Sequence, residues 1–232
     1  MASQRAIDEL VERQVGLWNQ QQAAREKPGA CVAISHLPGA GGAELAQRVA
    51  ERLGYGLFGR EIVEEIARDQ GAQARIVAEL DEHIRSLIER YVMEVFGKRG
   101  FAETDYLRGV VRVVQTIGER GRAVLLGRGS AFILSPQQAL RVLVVAPKAI
   151  RVERVAAALG IDREAAAKRL VEYEEDRRQF LRHHFHVEQM DPTHYHLSVN
   201  TGQLRPEVAA EVVVEALQRQ FSKLPEEKAR TA

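Results

Sequence analysis

Between Ser35 and Leu45 the chain reads His36-Leu37-Pro38-Gly39-Ala40-Gly41-Gly42-Ala43-Glu44, with three glycines and a proline inside seven residues. A turn of this composition reaches backbone conformations closed to other residues. Before it runs a short apolar, β-branched segment over 30–35, which suits a buried strand. After it, Leu45, Val49 and Leu53 recur at helical spacing, opposite Gln47, Arg48, Glu51 and Arg52. Strand, glycine turn and helix together aim free N–H groups and a helix N-terminus at one point, which is chemistry for a phosphate. The same residues also fit an ordinary glycine-rich βα turn with no ligand.

The usual phosphate loop, or P-loop, is G-x-x-x-x-G-K-[ST], its lysine reaching the outer phosphates and its hydroxyl holding magnesium. Aligned with Gly42 as the second glycine, this chain has Leu37 at the first, Ala43 at the lysine and Glu44 at the hydroxyl position. The backbone cradle survives such changes; the side-chain charge and metal contact do not.

Arginines are the second chemical resource. Arg128 lies in Gly127-Arg128-Gly129-Ser130, directly after the apolar run Ala123-Val124-Leu125-Leu126. Ligands of open α/β sheets gather at the carboxyl ends of strands, so position favours a functional arginine there over a surface one. Arg151 and Arg154 follow the β-branched run over 140–146 and share one face of a helix. Arg163, Lys168, Arg169, Arg177, Arg178 and Arg182 continue the series, mixed with acids. Arginines converging from two helices suit a lid over a transferring phosphate; solvated surface ion pairs of little energetic value account for at least about half of them. Five of the seven histidines fall at 183, 184, 186, 194 and 196, in no spacing that makes a zinc site, and no metal ligand is assigned.

The elements that position these residues follow in order. Residues 1–28 form an amphipathic helix and linker, with Ile7, Leu10, Val11, Leu17 and Trp18 on its apolar side. It packs on the domain or serves a homo-oligomer. Residues 29–221 form one domain. Within it a short apolar segment over 54–59 is an edge strand or turn, and a helix runs over 60–70. Two long helical stretches over 73–119 resemble an inserted cap above a substrate site, and 148–186 forms the arginine-bearing lid region. A last strand is expected over 195–199 and a closing helix over 205–220; 222–232 is a charged tail. The chain has 33 basic and 32 acidic residues and a net charge of +1, which gives no general attraction to nucleic acid or membrane. Its one cysteine, Cys31, excludes an intrachain disulfide and sits where a buried thiol belongs. No apolar run spans a bilayer and no signal peptide opens the chain, so a cytoplasmic location is expected.

From Cys31 to Leu217 the chain resembles the cytidylate kinase-like family of P-loop nucleoside monophosphate kinases. The resemblance rests on the order and spacing of ISHLPGAGGAELAQRVAERLG, FGREIVEEIA, LLGRGSAFIL, LRVLVVAPKAIRVERV, EYEEDRRQF and DPTHYHLSVNTGQL. It implies a three-layer α/β fold with a central parallel sheet, a helical monophosphate-binding insertion and an arginine-bearing lid. It implies transfer of the terminal phosphoryl group of ATP, with Mg2+, to CMP or dCMP. By resemblance Gly39, Ala40, Gly41, Gly42, Ala43 and Glu44 cradle the donor phosphates and Arg60 lies near the acceptor. Arg128 matches the strand-end Gly-Arg motif, Arg151 and Arg154 the lid-opening arginines, and Arg177 the arginine of a D-x-x-R pattern written here from Glu174. Ala43 replaces a basic residue of the family loop, Gly59 an acid before Arg60, and His196 the aspartate of a Tyr-Asp-Leu strand. A nucleotide-binding or regulatory module without turnover is the other reading of these departures.

Overall fold

The computed structural model describes residues 9, 12, 13, 15, 16, 29–68, 80, 82–96 and 103–221. Five strands make one sheet: β1 (Cys31–His36), β2 (Gly56–Phe58), β3 (Ala123–Leu126), β4 (Ala139–Val145) and β5 (Leu197–Asn200). Their order is β2-β3-β1-β4-β5, every pair parallel. The helices are α1 (Gly42–Leu53), α2 (Arg60–Arg68), α3 (Glu82–Phe96), α4 (Glu103–Arg120), the single turn α5 (Ser130–Ile133), α6 (Lys148–Leu159), α7 (Arg163–Phe185) and α8 (Pro206–Phe221).

A central parallel strand must be apolar on both faces, and β1 is buried over Cys31–Ser35. Side chains alternate along a strand. Cys31 and Ala33 therefore enter one core with α2 and α4, while Val32 and Ile34 enter the other with α1 and α8. This is the three-layer α/β architecture expected. Cys31 is wholly buried, and burial pushes its thiol up to about 12, so it packs as a small apolar group. Helices α6 and α7 hold a separate small core of Val152, Val155, Ala166 and Leu170.

Helix α4 contributes Val110, Val111, Val113, Val114 and Ile117 to the core beneath the sheet, and α3 contributes Ile88 and Val92. The described parts of the inserted helices are thus a packing layer, and none of their described residues lines the cavity above the strand ends. The described residues of the N-terminal segment are helical, and Val15 joins the same core. Most of that segment, 69–79 and the tail after 221 lie outside the described residues. The last strand begins at Leu197, two residues later than expected, because Asp191 caps a short helical turn, Pro192–His194, that occupies the approach to it.

Register fixes the site. Ile34 pairs with Leu126, His36 with Val144, and Val145 with Asn200. The turns after β1, β3 and β5 therefore emerge along one edge of the sheet. No helix among the described residues is long and apolar enough to cross a membrane.

Candidate functional site

The phosphate loop forms as a tight turn: Ala40 N–H donates to Leu37 O at 3.0 Å and Gly41 is the left-handed N-cap of α1. The helix begins at Gly42. The residues entering it, Gly42 and Ala43, carry neither amine nor hydroxyl. Two glycines are required by their surroundings. Gly39 has φ +74°, and a Cβ there falls 2.7 Å from the carbonyl oxygen of Arg151. A Cβ on Gly42 falls 2.6 Å from both Cβ and Cγ of His36. The imidazole of His36 therefore fills the space that a lysine at 42 would cross.

His36 closes β1 and faces the loop, with a ring nitrogen, Nδ1, 3.1 Å from Leu37 O. A carbonyl can only accept, so this nitrogen carries the proton. Burial, and then the charge of Arg177, hold the imidazole down to about 4. In the unfolded chain it takes up a proton near pH 6.5. Between those values the unfolded state binds more protons, so the contribution is complete above pH 6.5 and is lost as pH falls toward 4, at up to ~1.4 kcal/mol per pH unit. Unfolding free energies measured across this window should fall less steeply in His36→Gln than in the parent protein; equal slopes would show that His36 is not enclosed.

A cavity of about 600 Å3 opens between the loop, the turn after β3 and α7. Its cations are Arg60, Arg128 and Arg177, and Asp176 is its one carboxylate among the described residues. On α7 the wall is Tyr173, Asp176, Arg177, Phe180 and Leu181, a spacing that places all five on one helical face. Arg128 pairs with Glu64 and lies 5.7 Å over the Phe180 ring. Arg60 bonds the same Glu64 at 2.8 Å and is otherwise exposed. Arg177 donates to the carbonyl of His36. Burial first, and then Arg60 beside them, lower both Arg128 and Arg177 to about 10. Both remain cations at neutral pH, in a site that an anion would relieve.

Arg151 and Arg154 are placed differently. Arg151 is buried, donates from Nε to Ala146 O at 2.9 Å and from Nη1 to Pro38 O at 3.3 Å, and pairs with Glu174. Arg154 donates to Oγ1 and O of Thr201 at 3.1 and 3.0 Å. Neither lines the cavity. Arg151 instead bonds the loop directly at Pro38, and Arg154 is tied to it through Thr201, whose hydroxyl bonds Ala40 O.

Sequence reasoning passed over three residues that fasten the loop. Thr201 bonds the carbonyl of Ala40 at 2.7 Å through its hydroxyl. Gln189, from the connection after α7, donates to Ser35 Oγ at 2.9 Å and His36 O at 3.1 Å. Thr201 was legible only as part of the Asn200-Thr201-Gly202 turn, and nothing local marks Gln189 or Ser35.

The loop backbone suits the phosphates of ATP: left-handed Gly39 and Gly41 and the open start of α1 leave room for an anion. The loop does not suit direct ligation of Mg2+. Ala43 has no oxygen, exposed Glu44 is paired with Arg48, and no group of three metal-binding side chains occurs among the described residues.

A solved protein from Eubacterium ventriosum, titled uncharacterized, is similar in fold, with TM-score 0.66 and 18% identity over 82% of this chain and 98% of that one. A Thermus thermophilus structure matches with TM-score 0.50 and 17% identity over 85% of this chain and all of that one. In sequence the chain is 28% identical over 190 residues to the cytidylate kinase of Aeropyrum pernix, covering 80% of this chain and 98% of that enzyme. It is 27% identical over 183 residues to that of Methanopyrus kandleri, covering 74% and 84%. The family model described as cytidylate kinase-like matches residues 31–203, which contain the loop, the cavity arginines and all five strands. The chain belongs to the cytidylate kinase-like family.

Proposed function

We propose that the protein transfers the terminal phosphoryl group of ATP to a pyrimidine nucleoside monophosphate, CMP or dCMP. The observation that carries this is the convergence of Arg60, Arg128 and Arg177 with the phosphate loop on one cavity. An oxygen of the acceptor phosphate attacks the γ-phosphorus, the bond from that phosphorus to the β–γ bridging oxygen breaks, and ADP leaves as a nucleoside diphosphate forms. The attacking oxygen is already anionic, so no side-chain nucleophile is needed. Catalysis is then positioning and charge stabilisation. The loop amides and α1 hold the donor, Arg128 and Arg60 face the acceptor phosphate, and Arg177 supplies charge between them. Arg151, Arg154 and Thr201 keep the loop in shape. Mg2+ would arrive with the nucleotide and lend charge to its phosphates; the loop adds no side-chain ligand.

The test is ADP release with ATP and Mg2+ against CMP, dCMP, UMP, AMP and GMP. Release that depends on CMP or dCMP is expected. One observation favours a second reading, binding without turnover: Gly42 and Ala43, the residues that enter α1, bring no cationic side chain of their own. Folded protein that binds nucleotides but releases no ADP with any acceptor would establish that reading instead.

A further inference from the structure

The turn after β3 carries polar groups left unmet by the described residues. Ser130 is 1% exposed, and its Oγ has no hydrogen-bond partner among the described residues. The Nε of Arg128 is also buried and has no partner among the described residues. The N–H groups of Gly127 and Ser130 donate to Ile34 O and Gly127 O at 2.9 and 3.1 Å, while those of Arg128 and Gly129 between them make no backbone hydrogen bond to described residues. All four residues line the same cavity.

The backbone there is strained as well. Gly127, Arg128 and Gly129 have φ of +78°, +51° and +71°. Glycine adopts these values freely, whereas a side-chain-bearing residue does so at a cost. A buried hydroxyl with no partner is also unfavourable, and alanine would remove the difficulty. Strain and unmet donors in one turn, on one cavity, mark a place that a ligand completes. The surrounding charge says which kind: Arg60 and Arg177 are the cations that bear on Arg128. An oxyanion accepts from hydroxyl, guanidinium and amide donors at once.

We propose that Ser130 is a phosphate-recognition residue, its hydroxyl donating to an oxygen of the acceptor phosphate that Arg128 holds, with the amides of Arg128 and Gly129 completing the cradle. This rests on the kinase reading for the identity of the acceptor; the binding of phosphate to the turn stands apart from turnover.

The experiment is Ser130→Ala in the full chain, read by thermal unfolding and by calorimetric titration with CMP and with inorganic phosphate. Removing an unmet hydroxyl should leave the free protein's unfolding midpoint unchanged or raise it by about 2–4 °C. Affinity for both CMP and phosphate should fall about tenfold or more, the loss expected for a hydrogen bond to a charged group. A lower midpoint with unchanged affinities would make Ser130 structural and overturn the proposal. So would weaker CMP binding with unchanged phosphate binding, which would assign Ser130 to the nucleoside. Failure of the parent protein to bind either ligand would overturn it too. Weakened phosphate binding in a protein without ADP release would keep the proposal and sink the kinase reading. Unchanged CMP binding in an active enzyme would do the reverse.

Discussion

Arg177→Ala should lower kcat/KM by about 10²–10³-fold while leaving the unfolding midpoint nearly unchanged. Arg177 reaches the mouth of the phosphate loop from α7 through its bond to the His36 carbonyl. With no lysine at the start of α1, it is the cation held closest to the loop inside the cavity. Burial and Arg60 both disfavour its charge. Bound phosphate reverses that balance, and reverses it most when charge builds up on the transferring group. Stability should change little for the same reason: the variant loses one hydrogen bond but also a cation repelled by its neighbours, and Gln189 still donates to His36 O. Arg177→Lys should recover part of the rate, as charge without the planar fork. Steady-state kinetics and a melt of each variant decide it. A kcat/KM within threefold of the parent would remove Arg177 from the machinery.

A lysine placed at position 42, one residue before the position aligned with the usual loop lysine, should not be accommodated. Gly42→Lys places a Cβ 2.6 Å from Cβ and Cγ of His36 and 3.1 Å from Cδ2, with His36 fixed between Leu37 O, Arg177 and Gln189. Overpacking of this kind costs about 1–3 kcal/mol, or roughly 2–10 °C in a chain of this size, and the loop is the part that shifts. The double variant His36→Gly/Gly42→Lys clears the clash. It should recover the midpoint and bind ATP more tightly than the parent. Ala43→Arg is the contrasting case: Ala43 is exposed, so that change should be neutral for folding. Differential scanning calorimetry and ATP titration of the three variants separate these outcomes. A stable, more active Gly42→Lys single variant would show that His36 does not exclude the lysine.

Much of the architecture was legible because it depends on local pattern. The apolar run at 140–146 is a strand, and Pro147 ends it. Gly54 is left-handed and closes α1 directly after Leu53, the last residue of the apolar repeat. Arg128 stands at a strand end because β3 is short, apolar and followed by glycine. The family's motifs supplied Arg60 and Arg177, which no periodicity singled out. The arginines of 148–182 show where local pattern stops. Arg151, Arg154 and Arg177 look alike in sequence, each a basic residue within a helix. Only packing sends Arg177 into the cavity and the other two to Pro38 of the loop and to Thr201.

The sequence by itself determined the strand–loop–helix unit, the parallel sheet and the absence of a lysine or hydroxyl at the start of α1, since each follows from side-chain period, glycine placement or residue identity. Tertiary structure alone decided which cations share a cavity, that His36 excludes a side chain at 42, and that the hydroxyl of Ser130 meets no partner among the described residues. Those facts depend on strand register and helix packing, which bring together residues from 36 to 181, and no spacing along the chain encodes a distance across the sheet.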